Sequence, residues 1–259
     1  MKATLITGAS GGIGKAFARR LAAEKHNLVL VARTEEKLAA LCDELMHEHK
    51  ITAHYVALDL INYEASAQLF EETEKGGFEI DWLINNAGFG SMNDFAKLEL
   101  GRELEMISLN VSALVALTHR YLQKMRERRS GVIINVSSTA SFQPIPFMAT
   151  YAATKAFVTS FSEAIAEENR PFNIKIVALC PGPTDTNFFN VANAEVFKAK
   201  GIETPGAVVE TALKAVESGK SKAISGWTNY VGSVFGSYLP TAVVTRVVGK
   251  ALRGKVEDR

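Results

Sequence analysis

Six short, nearly uninterrupted apolar runs rich in β-branched residues punctuate the chain, at Ala3 to Thr7, Leu28 to Val31, Ala53 to Leu58, Trp82 to Ile84, Val132 to Val136 and Ile174 to Leu179. A strand with one solvated face alternates apolar and polar residues. Continuous apolar character instead marks strands buried on both faces, as in a parallel sheet sandwiched by helices. Between these runs lie stretches with apolar residues at helical spacing, among them Ala16 to Leu21, Glu35 to His49, Arg102 to Arg126 and Thr154 to Glu168. Strand and helix alternating in this way demand right-handed crossovers, so the expectation is a doubly wound α/β fold with helices on both faces.

A chain of 259 residues, 47% hydrophobic and 22% charged, is long enough to bury one large core. No repeat, low-complexity tract or Pro/Gly-rich linker divides it, so residues 1–259 are read as one domain. The 29 basic and 28 acidic residues leave a net charge of +1, which gives no electrostatic footprint for nucleic acid. Two cysteines, Cys42 and Cys180, and a start, MKATLITGAS, without a basic and apolar leader point to the cytoplasm. The histidines at 26, 47, 49, 54 and 119 show no ligand spacing, and no metal is expected.

The loop TGASGGIG follows the first strand and opens a helix. Its glycines fall at Gly8, Gly12 and Gly14, a spacing different from G-x-G-x-x-G, but the strand-loop-helix setting is what phosphate binding requires. Backbone N–H groups at a helix start face an anion, and glycine lets the backbone approach it without a Cβ. Tyr151 and Lys155 stand four apart, on one face of a helix. An ammonium near a phenol favours the phenolate and is expected to bring the tyrosine toward acid-base duty at neutral pH.

These motifs, with NNAG at residues 85 to 88, Asn110, Ser138 and PGPTDT from Pro181, resemble the short-chain dehydrogenase/reductase family over residues 4 to about 190. The resemblance implies a Rossmann-type sheet of about seven parallel strands with a nicotinamide cofactor along their carboxyl ends. It gives Tyr151 the proton for the substrate oxygen, Ser138 the hold on the carbonyl, Lys155 the nicotinamide ribose, and Asn110 a water-mediated proton path. Gly8, Gly12, Ile13 and Gly14 fall to the cofactor phosphates, with Ser10 adding a hydroxyl donor for a 2′-phosphate; Asp59 falls to the adenine, Asn85 and Asn86 to the adenine ribose, and Ala87 to the cofactor beside them. Pro181 and Gly182 are placed beside the nicotinamide, with Thr184 or Thr186 reaching its carboxamide or the phosphates. A second, narrower resemblance, carried by YAATKAFVTSFSEA and an apolar tail, is to 3-oxoacyl reductases and 17β-hydroxysteroid dehydrogenases. The family also implies a homodimer or homotetramer built through the helices around Arg102 to Arg126 and Thr154 to Glu168.

The second strand ends LVLVAR, with Ala32 where an acid would bind the NAD ribose and Arg33 directly after it. A guanidinium grips a 2′-phosphate bidentately, so NADP is expected rather than NAD, with Lys37 one turn into the next helix. Phe142, Ile145, Phe147, Met148, Phe188 and Phe189, with Gln143, border the substrate in TASFQPIPFMAT and NFFNVANAEVF and suggest an apolar ketone or aldehyde. Cys180 beside this loop has no basic partner in sequence and is read as structural. A non-catalytic NADP sensor and a nucleotide-sugar epimerase are the alternatives in other functional classes.

The segment 223–253 departs from the rest. Ala223 to Thr245 holds no charged residue, yet Pro240, three glycines and many Ser, Thr and Asn make it less apolar than a membrane span. It is expected to pack near the substrate side or at an interface, with weak membrane contact as the alternative.

Overall fold

The computed structural model describes residues 1–192, 194 and 202–257. The last part of NFFNVANAEVF therefore lies outside the described residues, apart from Ala194. Seven strands, β1 (Lys2–Thr7), β2 (Leu28–Ala32), β3 (Ala53–Ala57), β4 (Glu79–Asn85), β5 (Gly131–Val136), β6 (Ile174–Cys180) and β7 (Lys222–Ile224), form one sheet in the order β3-β2-β1-β4-β5-β6-β7. All six pairings are parallel. The six apolar runs are the first six strands to within a few residues. β7 is three half-buried residues and carries no continuous apolar run to find it by.

Helices α1 (Gly12–Ala23), α2 (Glu35–His49), α3 (Ala65–Lys75), α4 (Leu100–Ile107), α5 (Leu114–Glu127), α6 (Ala149–Asn169), α7 (Phe188–Val191), α8 (Pro205–Glu217), α9 (Trp227–Tyr238) and α10 (Thr241–Glu257) cover the sheet and its carboxyl ends. The period of two along β1 and β2 divides the core. Ile6, Leu28 and Leu30 pack with Phe17, Leu21 and Leu38 on one face, whereas Leu5, Val29 and Val31 pack with Leu69, Leu117 and Tyr121 on the other. A third apolar cluster, with Phe89, Met106, Met148, Tyr151, Phe189 and Leu252, lies apart from these two.

The single helix expected over Arg102 to Arg126 is α4 and α5 joined by a π-helical segment, Ser108–Ala113. Such wide turns insert an extra residue and re-aim a side chain, and this one carries Asn110. Strand order reverses between β1 and β4. At such a switch point the loops after adjacent strands diverge and leave a crevice, the usual ligand site of an open parallel sheet.

Candidate active site

The crevice is a cleft of about 600 Å³ lined by the glycine loop, the turn after β4, the loop after β5, α6, the loop after β6, and α9. Gly8 and Gly12 have φ of 66° and 53°, conformations that other L-residues enter at a cost. Gly14 serves packing instead, since a Cβ there would come within 2.3 Å of the Gly8 carbonyl oxygen. α1 starts with neither a side-chain cap nor an acid in its first turn. Its leading N–H groups and dipole suit an anion, and Ser10, Gly12 and Ile13 line the cleft beside them.

The turn after β4 is tied to this loop. Thr7 Oγ1 accepts from the backbone N–H groups of Asn86 (2.9 Å) and Ala87 (3.0 Å), and Asn86 Nδ2 donates to the carbonyls of Thr7 (2.9 Å) and Gly8 (3.2 Å). Asn86 and Ala87 do line the cleft, but the Asn86 amine is engaged in holding the loop. Asn85 is placed differently from the expectation. It is buried, donates to Thr118 Oγ1 (3.0 Å) and Asn135 Oδ1 (2.8 Å), and is not among the cleft residues. Asn85 is the last residue of β4 and turns into the interior, whereas Asn86 opens the turn after it and borders the cleft.

The opposite wall comes from β5 and α6. Ser138 follows β5, and its Oγ accepts from the Ala140 N–H at 3.1 Å. Tyr151 and Lys155 stand one turn apart on α6, both buried, with the Lys155 ammonium 5.8 Å from the phenol ring centroid. Lys155 Nζ donates to the Val136 carbonyl at 2.8 Å. Ser137 Oγ donates to the Lys155 carbonyl (2.9 Å) and shares a hydrogen bond with Thr159 (2.7 Å), pinning α6 to β5. Burial pushes the Tyr151 phenol up to about 12, with the Ser138 hydrogen bond opposing, and brings Lys155 down to about 8. The expected depression of the tyrosine is thus overturned: desolvation disfavours phenolate more than this hydrogen bond favours it.

Asn110 is enclosed on both sides. Its Oδ1 accepts from the Phe89 N–H (3.1 Å), and its Nδ2 donates to the Phe89 carbonyl (2.9 Å) and to Thr154 Oγ1 (3.2 Å). A Cβ at Gly88 would lie 2.8 Å from Asn110 Oδ1 and 3.6 Å from Lys155 Nζ, so the asparagine borders the lysine pocket without lining the cleft.

Pro181, Gly182, Thr184 and Thr186 all line the cleft. Thr184 Oγ1 donates to the Gly182 carbonyl (2.9 Å), and Thr186 Oγ1 accepts from the Phe188 N–H (3.2 Å). Sequence reading missed the bracket over this loop. Glu203 accepts from Ser225 Oγ (2.9 Å) and Asn229 Nδ2 (3.3 Å), while its backbone pairs with Pro183 and Asp185. Asn229 on α9 lies so close to Gly182 that any Cβ there would collide with it. No motif joins Glu203, Ser225 and Asn229, so only the fold reveals them.

At the far end, Arg33 Nη1 lies 4.0 Å from Asp59 Oδ2, with the two side chains 72% and 49% exposed. Neither lines the cleft, although Lys37 does. Phe142, Gln143, Ile145, Met148, Phe188 and Phe189 line it as expected, and Tyr151 stacks obliquely on Phe188 at 5.2 Å. Phe147, at φ of 67°, packs into the third cluster instead. Cys180 is fully buried and burial raises its thiol, as fits a structural residue.

The profile of the short chain dehydrogenases matches residues 2–196. The chain belongs to the short-chain dehydrogenase family. Within it, the chain is 30% identical over 195 residues to the 3-oxoacyl-(acyl-carrier-protein) reductase of Aquifex aeolicus, covering 75% of this chain and 79% of that one. It is 33% identical over 219 residues to 17-beta-hydroxysteroid dehydrogenase type 3 of Mus musculus, covering 83% and 69%. A short-chain dehydrogenase from Sphingobium yanoikuyae, solved in complex with NADPH, aligns over 100% of this chain and 96% of its own at TM-score 0.82 and 28% identity. This short-chain dehydrogenase therefore shares both the family's sheet and the relatives its narrower motifs suggested.

Proposed function

We propose that the protein reduces an apolar ketone or aldehyde to the alcohol at the expense of NADPH, with Tyr151 as proton donor. One observation carries the reading: Ser138, Tyr151 and Lys155 share a cleft wall facing a glycine loop whose geometry suits a dinucleotide. NADPH, when bound, supplies the hydride. The residues present fit it, because the uncapped start of α1 suits the pyrophosphate and Gly8 and Gly12 keep the approach free of side chains. Ser10, Arg33 and Lys37 supply the donors for a 2′-phosphate.

Ser138 and Tyr151 direct their hydroxyls at the carbonyl oxygen and stabilise the charge that develops there. At a pKa of about 12 the phenol keeps its proton at neutral pH. It gives that proton up only to a stronger base, which the oxygen becomes once the carbonyl is reduced. Lys155, still mostly charged near neutrality, stabilises the phenolate left behind. Asn110 holds the Phe89 backbone and the Thr154 hydroxyl, and Thr154 in turn donates to the Tyr151 carbonyl at 2.7 Å, so it fixes the position of the tyrosine's own turn.

Phe142, Ile145, Met148 and Phe188 give the reacting end an apolar lining, which favours a hydrophobic carbonyl compound. The names of the reductase and hydroxysteroid dehydrogenase relatives are consistent with such a substrate class. Screening hydrophobic ketones, 3-oxoacyl thioesters and ketosteroids for loss of NADPH absorbance tests the reading. Turnover of at least one class is expected; NADPH binding without turnover of any would favour the sensor alternative. α4 and α6 pack together and leave Leu100, Leu104, Ile107 and Phe157 exposed, which supports homo-oligomer formation through these helices. Light scattering on the wild type and Leu104→Glu checks it, with a smaller species expected for the variant.

A further inference from the structure

α9 is apolar on the wrong side. The face it turns to the cleft carries Thr228, Asn229, Gly232 and Ser233, whereas Trp227 (77% exposed), Tyr230 and Phe235 (71%) face away from the core. Trp227 and Tyr230 stack on each other at 5.9 Å. The exposed apolar run continues through Leu239, Val243 and Val247 into α10, whose inner side is anchored by Leu252 in the third cluster. A surface helix ordinarily buries its apolar stripe and solvates its polar one. Packing was the expectation for this segment, and the structure leaves half of it uncovered.

The charge pattern identifies the cover. Residues 218–256 contain no Asp or Glu, while Lys220, Lys222, Arg246, Lys250, Arg253 and Lys255 are all basic. Because the chain sums to only +1, the remainder is net acidic. Lys222 is paired with Glu163 at 2.8 Å, but Arg246, Lys250 and Arg253 belong to the helix that exposes Val243 and Val247. A second copy seated on this face by two-fold symmetry would bring cations against cations. Among the described residues no helix is long and apolar enough to cross a membrane. Exposed aromatic and aliphatic side chains beside a basic helix whose one acid is its final residue, Glu257, match the chemistry of a surface lying in an anionic lipid interface.

We propose that the outer face of α9 and α10 docks the protein on an anionic bilayer, with the α9-lined side of the cleft held at the lipid surface. On the reductase reading given above, this lets an apolar carbonyl compound enter from the bilayer rather than from water. The docking itself does not depend on that reading.

Co-sedimentation of the full chain with phosphatidylcholine vesicles, with and without phosphatidylglycerol, tests it, with the emission of Trp227 as the second readout. Trp82, the other tryptophan, packs against the core. Binding to the anionic vesicles, weakened by salt and accompanied by a blue shift, is expected. Arg246→Glu with Lys250→Glu should weaken it at least about tenfold, since each cation at such a surface is worth roughly fivefold. Phe235→Ser with Val247→Ser should abolish the blue shift. Retained reduction of a short water-soluble ketone in these variants shows that lost sedimentation is lost docking and not a lost fold. No binding to anionic vesicles, or binding indifferent to both pairs of substitutions, overturns the proposal. So does a lipid-free dimer that shields Trp227 from acrylamide. A wild type that binds vesicles but reduces nothing removes the substrate route and leaves the docking standing.

Discussion

At the β5–α6 wall and in the π-segment behind it, buried polar side chains are held by partners: Lys155 on the Val136 carbonyl, Ser137 on Lys155 and Thr159, Asn110 on Phe89 and Thr154. At the β2–β3 end, Arg33 is mostly exposed and reaches Asp59 only at 4.0 Å. Under the proposed function, the difference follows from what each end would do. A proton moves over tenths of an ångström, so its donor must be placed before the substrate arrives, and buried hydrogen bonds are both stronger and costlier to break than exposed ones. A phosphate is recognised by charge, which acts over several ångströms and needs no burial. An exposed ion pair at this distance contributes little, so Arg33 is free to exchange Asp59 for a better anion.

Substitutions can break this contrast in order of effect. Ser138→Ala removes one donor from the ordered wall and should lower kcat by about 100- to 1000-fold, with NADPH affinity unchanged. Steady-state kinetics beside a fluorescence titration separates the two; a parallel loss of NADPH affinity would mean that the wall also binds cofactor. At the loose end the pattern reverses. Arg33→Ala should weaken NADPH roughly ten- to a hundredfold while leaving NADH and kcat at saturation nearly unchanged, since a charge-assisted hydrogen bond contributes about 1.5 to 3 kcal/mol. Adding Ala32→Asp should turn the preference toward NADH. Equal weakening of both cofactors would show that Arg33 supports the loop instead.

A third test uses pH. Lys155 sits near 8 because burial penalises its charge, so it is charged below that value and neutral above it. Reduction at saturating substrate should hold level through neutrality and fall about tenfold per unit above pH 8, as the phenolate loses its cation. Tyr151, near 12, stays protonated throughout this range. A profile flat to pH 10 would show that the lysine charge plays no part in the proton step.

Much of this was legible in the residues themselves. Buried parallel strands announce themselves as continuous apolar runs, and the six longer ones were read nearly to their ends. β7 is three residues at the sheet edge and gives no periodic signal. Glycine positions were readable because close approach and positive φ exclude other residues. The direction of a polar side chain was not. Asn85 and Asn86 are neighbours in sequence, yet one enters the polar contacts between β4, β5 and α5 and the other braces the loop. The tyrosine's upward shift is hidden in the sequence for a related reason, because a spacing of four places two groups on one face without saying how dry that face is. Helical spacing across Arg102 to Arg126 could not reveal a π-segment, whose extra residue preserves helicity on both sides. The Glu203 bracket joins two loop residues, Glu203 and Ser225, to Asn229 on α9 and has no local signature at all.

The proposed reduction requires Tyr151 to be the group that hands over the proton. The direct measurement compares the wild type with Tyr151→Phe, titrating each with NADPH by fluorescence and then following single-turnover reduction of a ketone that the wild type accepts. The ring, its burial and its contact with Phe188 are kept, and only the hydroxyl is lost. NADPH affinity within about twofold of wild type and a rate lower by roughly 100- to 10,000-fold are predicted. A variant that reduces the ketone at near the wild-type rate would contradict the assignment and move the proton to another donor.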